Sequence, residues 1–207
     1  MMKPLALAVA ALLLLAGCSA PSIAEGPSIP STATPTPAPT REGEPIGTQS
    51  AALSSVRVAV PPTRVQAPSA GIDVTVVPVG VQPDGFMELP PDVSIAGWYR
   101  FGSDPGSEAG TTVISAHVDS LEYGLGPFSA LRSLAGGTVI SVTSSDGSVR
   151  DYVVESVQSL AKDDLPVDHV FDREGSPRLV LITCGGQFDR EQLRYSDNIM
   201  VTAVPVP

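Results

Sequence analysis

Three side-chain types suited to acyl transfer stand near the ends of apolar runs. Cys184 closes the run Leu179-Val180-Leu181-Ile182-Thr183, and Gly185 and Gly186 follow it. Glycines there let the backbone turn tightly and approach a ligand. A lone Cys in this setting is either a small buried hydrophobe or a thiol whose thiolate attacks a carbonyl. His117 ends a second run, Thr112-Val113-Ile114-Ser115-Ala116, and Val118-Asp119-Ser120 comes next. An imidazole near a carboxylate suits a general acid or base, and equally a hydrogen-bonded structural histidine. Arg190 and Arg194 lie between Cys184 and the last apolar run. A guanidinium can donate several hydrogen bonds to a carbonyl or a developing oxyanion. The other histidine, His169, sits in the acidic stretch Asp164-Leu165-Pro166-Val167-Asp168-His169 and reads as a surface residue. Two Cys in the chain are too few for a multi-Cys zinc site or a disulfide framework, and no metal or cofactor is implied.

The elements that must hold these groups are mostly strands. Runs rich in Val and Ile recur at residues 74–81, 111–116, 138–143, 149–157, 178–183 and 198–204. Residues 144–148, Ser-Ser-Asp-Gly-Ser, separate two of them and read as a hairpin loop. The one helical candidate is residues 127–134, where Phe128, Leu131 and Leu134 fall at i, i+3 and i+6. Residues 56–207 are therefore expected to form one all-β domain, a sandwich or barrel, with enough chain for a sizeable core.

The N-terminal quarter is different. The chain of 207 residues holds 21 Pro, more than one compact domain usually carries, so part of it is expected to be unpacked. Lys3 precedes an apolar run over residues 5–15, too short for the roughly 20 residues that span a bilayer. Leu15-Ala16-Gly17-Cys18-Ser19 closes it, as in a secretory signal peptide. That ending resembles the lipobox of bacterial lipoproteins, which implies residues 1–17 as signal peptide and lipidation of Cys18 after cleavage. Residues 18–55 read as a disordered Pro/Thr/Ser-rich linker, a tether reaching on the order of 100 Å at full extension. The implied location is the extracytoplasmic face of the cell membrane, held by lipid. The net charge of −10 argues against a nucleic-acid partner.

Several stretches together resemble class F sortases of actinobacteria. They are Gly97-Trp98-Tyr99, Ala116-His117-Val118-Asp119-Ser120, Leu181-Ile182-Thr183-Cys184, Cys184-Gly185-Gly186-Gln187-Phe188-Asp189 and Tyr195-Ser196-Asp197-Asn198, with residues 79–90 as an opening segment. The resemblance spans residues 65–204. Ala116 departs from it, since that class usually has Gly before the His. It implies a closed sortase-type β-barrel with one or two short helices. It also implies Cys184 as nucleophile, His117 as general acid/base and Thr183 as a substrate-binding residue. Arg194 is implied as the catalytic arginine, with Arg190 as the other candidate.

The activity implied is a cysteine transpeptidase. It cleaves an LPxTG-like C-terminal sorting motif of secreted proteins through a thioacyl-enzyme and passes the acyl part to a cell-wall peptidoglycan amine. A monomer is expected. His117 precedes Cys184 in the chain, opposite to the order in papain-like and NlpC-type peptidases. The Ser-His-Gly-Cys run of Cys-dependent L,D-transpeptidases is absent. The alternative is a non-catalytic surface lipoprotein whose barrel binds a peptide or glycan around an inert Cys184. Residues 121–126 and 161–171 are the loops flagged as candidates to gate the cleft.

Overall fold

The computed structural model describes residues 57–207, so the expectations for the signal peptide, Cys18 and the linker lie outside the described residues. The described chain is mostly strand. β1 (Pro62–Ala67) and β2 (Ile72–Val79) are joined by a glycine-ended turn, and β3 (Ile95–Tyr99) and β4 (Thr111–Ser115) follow. Two short strands, β5 (Asp119–Ser120) and β6 (Gly124–Leu125), pair with each other. β7 (Val139–Ser144) and β8 (Val149–Ala161) form the expected hairpin. A single helical turn, α1 (Val167–Val170), precedes β9 (Arg178–Asp189) and β10 (Arg194–Pro205).

Eight of these strands close into a barrel in the order β1-β2-β3-β4-β9-β10-β8-β7. Closure leaves the barrel sheet no free edge to pair with another chain. The β2–β3 and β4–β9 pairs are parallel, and the other pairings around the barrel are antiparallel. Period-two patterning fills the interior: Ile72, Val74 and Val76 of β2 are buried while Asp73 and Thr75 face water. Their interior partners include Trp98, Ile114, Ile140, Leu179, Leu181 and Val201.

Residues 127–134 behave as the sequence suggests, with one refinement. Pro127–Ser133 is a 3-10 helix rather than an α-helix, and it inserts Phe128 and Leu131, both fully buried, into the core. Spacing of i, i+3, i+6 is the three-residue period of the 3-10 helix, so apolar side chains at that spacing share one face there.

The last two strands run longer than their apolar patterns suggest. The chain does not turn at Gly185-Gly186. β9 continues to Asp189, and the pairing with β10 shifts register between Tyr195 and Asp197. Gly186 absorbs the shift at φ 75°, and a Cβ there would collide with the side chains of Ser196 and Asp197. Gly185 instead leaves room for Ile199, whose side chain a Cβ would strike. The two glycines thus carry a bulged hairpin past Cys184 instead of ending the strand. β8 likewise extends to Ala161, four residues beyond its apolar run.

Candidate active site

The parallel pairing of β4 and β9 decides where the reactive groups meet. Ser115 lies opposite Ile182, and the Ala116 amide still donates to the Ile182 carbonyl at 3.2 Å. Ser115 Oγ donates to the same carbonyl at 2.9 Å, and Thr183 Oγ1 donates to the Ala116 carbonyl at 2.8 Å. Two more residues along this register bring His117 beside Cys184, on strands spaced about 4.8 Å apart.

Both also share a face. On β9, Leu179 and Leu181 enter the barrel core, whereas Val180 and Ile182 pack outside it against Val113, Val170 and Met200. Cys184 continues the outer set by period two, and His117 does the same after Val113 and Ser115. Each is half-buried. Burial pushes the His117 imidazole below the usual histidine range, and the Asp119 carboxylate pulls weakly the other way. Cys184 is a free thiol.

Asn198 of β10 lies opposite Cys184 on its other side. Lys162, just after β8, reaches over both: its Nζ lies 3.6 Å from Cys184 Sγ and 3.5 Å from Asn198 Oδ1. Two adjoining hollows of about 580 and 620 Å³ meet here, and His117, Lys162 and Cys184 line both. The first is largely apolar. Phe86, Met87 and Leu89 from the β2–β3 connection face Leu165, Val167 and Phe171 from the segment after β8. The second lies between the β9–β10 hairpin and residues 117–121, with Asp119, Phe188, Arg194 and Tyr195 on its walls. Tyr195 Oη donates to Asp119 Oδ2 at 2.6 Å, which pushes the Tyr195 hydroxyl upward.

His117, Cys184 and Arg194 therefore open on one cavity. Arg194 begins β10, while Arg190 lies in the hairpin turn and lines neither hollow; both are exposed. Thr183 is buried, and its hydroxyl proton is spent on Ala116, so what it visibly does is tie the two site strands together. His169 is exposed on α1, where Arg178 Nη1 approaches its ring nitrogens at 2.6 and 3.0 Å, in keeping with a surface position. The two flagged loops contribute Leu121 to the second hollow, Leu165, Val167 and Phe171 to the first, and Lys162 to both. Among the described residues no cluster of three or more His, Cys, Asp or Glu is placed to hold a metal.

Sequence reasoning passed over Lys162 and Asn198. One signal was available: Lys3 and Lys162 are the only lysines of the chain, so the folded domain carries a single one.

The sortase-domain family profile matches residues 65–206, which is the barrel from β1 to the end of β10. The chain belongs to the sortase family. Its fold is shared with sortase C-1 from Actinomyces oris, at 21% identity and TM-score 0.53 over 70% of this chain and 73% of that one. The pilus-related sortase C of Group B Streptococcus aligns at 18% identity and TM-score 0.53, covering 73% of this chain and 70% of that one. Sortase A from Corynebacterium diphtheriae aligns at 18% and 0.52, covering 73% of this chain and 63% of that one. No curated protein matches the sequence. Membership makes this a sortase-type cysteine transpeptidase domain.

Proposed function

We propose that this sortase is of the class F type and is held on the extracytoplasmic face of the membrane by lipid on Cys18. It cleaves an LPxTG-like sorting motif of secreted proteins and joins the acyl part to a peptidoglycan amine. The observation that carries the reading is that His117, just past β4, Cys184, on the parallel strand β9, and Arg194 all line one cavity.

The chemistry follows from the groups. The Cys184 thiolate attacks the carbonyl carbon of the scissile peptide bond, and the carbonyl π pair moves onto oxygen. The Arg194 guanidinium donates to that oxygen, where negative charge develops. As the oxyanion collapses, the C–N bond breaks and His117, as imidazolium, gives its proton to the leaving amine. This leaves a thioester on Cys184 and a neutral His117. The acceptor amine then gives a proton to His117 and attacks the thioester. The C–S bond breaks, restoring thiolate and imidazolium. Water competes for the same thioester.

A fluorogenic peptide bearing an LPxTG-like motif tests the reading. Time-dependent cleavage is expected, abolished by Cys184→Ala and by thiol alkylation, with a thioacyl adduct on Cys184 by mass spectrometry. Arg194→Ala should lower kcat by about 10²-fold or more, with Arg190→Ala close to wild type. Equal peptide binding by wild type and Cys184→Ala, with turnover by neither, would leave only a binding barrel.

A further inference from the structure

The sole lysine of the barrel is in contact with the sulfur that would react. Lys162 Nζ lies 3.6 Å from Cys184 Sγ, and its other polar neighbour is Asn198 Oδ1 at 3.5 Å. The side chain is half-buried, and among the described residues it makes no ion pair with a carboxylate. Asp163 and Asp164, next in the chain, point into neither hollow and are exposed. Asp84 and Asp119 line the hollows but neither pairs with Lys162, and a half-buried ammonium without a paired carboxylate is costly unless another anion balances it. A thiolate at this distance is such an anion, and an opposite charge a few ångströms away favours the ionised form of each partner.

The geometry points to Lys162 as a further catalytic residue, an ammonium that holds the Cys184 thiolate ready for attack. The inference rests on Cys184 being the nucleophile. Other ionisable groups line the two hollows: Asp84, on the β2–β3 connection, is in the first, and the rest are in the second. His117 and Arg194 are the cations there, while Asp119 and the Tyr195 hydroxyl are engaged with each other. Lys162 brings an alkylammonium, which is a much weaker acid than an imidazolium. It therefore supports the thiolate even when His117 is neutral, the form that burial favours. Asn198 accepts from Nζ and so fixes where that charge sits. Position adds to this: Lys162 lies at the junction of the two hollows, where a bound peptide must pass Cys184.

The test reads the thiol directly and needs no substrate. Alkylation of Cys184 by iodoacetamide is followed by mass spectrometry from pH 5 to 9 in wild type, Lys162→Met and Lys162→Arg, with Cys18 replaced by Ser in all three. Lys162→Met should react about tenfold more slowly at pH 7 and regain the wild-type rate only at higher pH. Lys162→Arg, which keeps the cation, should stay close to wild type. A Met variant that alkylates like wild type at every pH overturns the inference, even if its peptide turnover falls. So does an Arg variant as slow as the Met variant, since shape and not charge would then be at issue. Full turnover by Cys184→Ala would instead remove the nucleophile on which the inference stands, a separate failure read in a separate assay.

Discussion

At the scale of single residues, the site depends on small offsets between opposing effects on His117. Desolvation disfavours its imidazolium, and Asp119 partly restores it. In the proposed mechanism, proton donation to the leaving amine requires the imidazolium, so Asp119 would sustain the competent form. Asp119→Asn removes the negative charge that favours the His117 imidazolium and so lowers the His117 pKa further. The limb of the kcat/KM pH profile governed by His117 should move to lower pH, and the plateau should fall because fewer molecules hold imidazolium together with thiolate. A profile identical to wild type would show that Asp119 serves only Tyr195, to which it is hydrogen-bonded at 2.6 Å. Thr183 acts differently. Its buried hydroxyl fastens β9 to the residue before His117, so it sets the alignment of two reactive groups while Thr183 also lines the first hollow.

At the scale of elements, the β9–β10 hairpin delivers three roles from one piece of chain. Cys184 and Asn198 are opposite each other on its two strands, and Arg194 stands beyond the bulge. The bulge depends on Gly186, whose φ of 75° and crowded Cα leave no place for a side chain. Gly186→Ala should destabilise the domain by about 1–2 kcal/mol from the left-handed backbone alone, before the clash with Ser196 is counted. Thermal denaturation should show a lower Tm. Turnover should fall more than the melting curve explains, because straightening the bulge moves Arg194 relative to Cys184. Wild-type Tm and turnover in that variant would mean the hairpin tip has no part in positioning.

At the scale of the whole molecule, the entry to the barrel is stapled by a buried carboxylate. Asp104, only 2% exposed, accepts from Arg57 at 2.8 and 2.9 Å and from the amides of Val60 and Gly106 at 2.8 Å each. Burial alone would raise its pKa, but the Arg57 hydrogen bonds and the two amides outweigh burial and hold the carboxyl below the usual carboxylate range. A depressed folded-state pKa means stability that is present above the unfolded value, about 3.9, and lost as pH falls through the folded one. Asp104→Asn should therefore cost about 1–3 kcal/mol at pH 7 by urea denaturation. The gap between variant and wild type should close as the pH falls below about 4; a gap that persists at pH 2 would rule out the charge as its source. At the other end of the reach, the proposed anchor predicts that Cys18→Ala shifts the protein from the membrane fraction to the medium. Retention in the membrane would argue against lipidation as the tether.

The sequence by itself determined what could be encoded locally. The Val-rich run at residues 74–81 marked a strand, the i, i+3, i+6 spacing marked a helical turn, and the types of His117, Cys184 and Arg194 named the chemistry. The lipobox-like ending at Cys18, on which the proposed anchor rests, is likewise a purely local signal. Neighbourhood was decided only by the tertiary structure. The parallel register of β4 on β9 brings residues 117 and 184 together, and the order β4-β9-β10-β8 carries Lys162 and Asn198 to the same sulfur. Only the folded hairpin distinguishes Arg194, on the wall of the second hollow, from Arg190 in the turn. Strand order and register are pairings between distant segments, fixed by closing the barrel around one core, so the pattern within any single strand does not contain them.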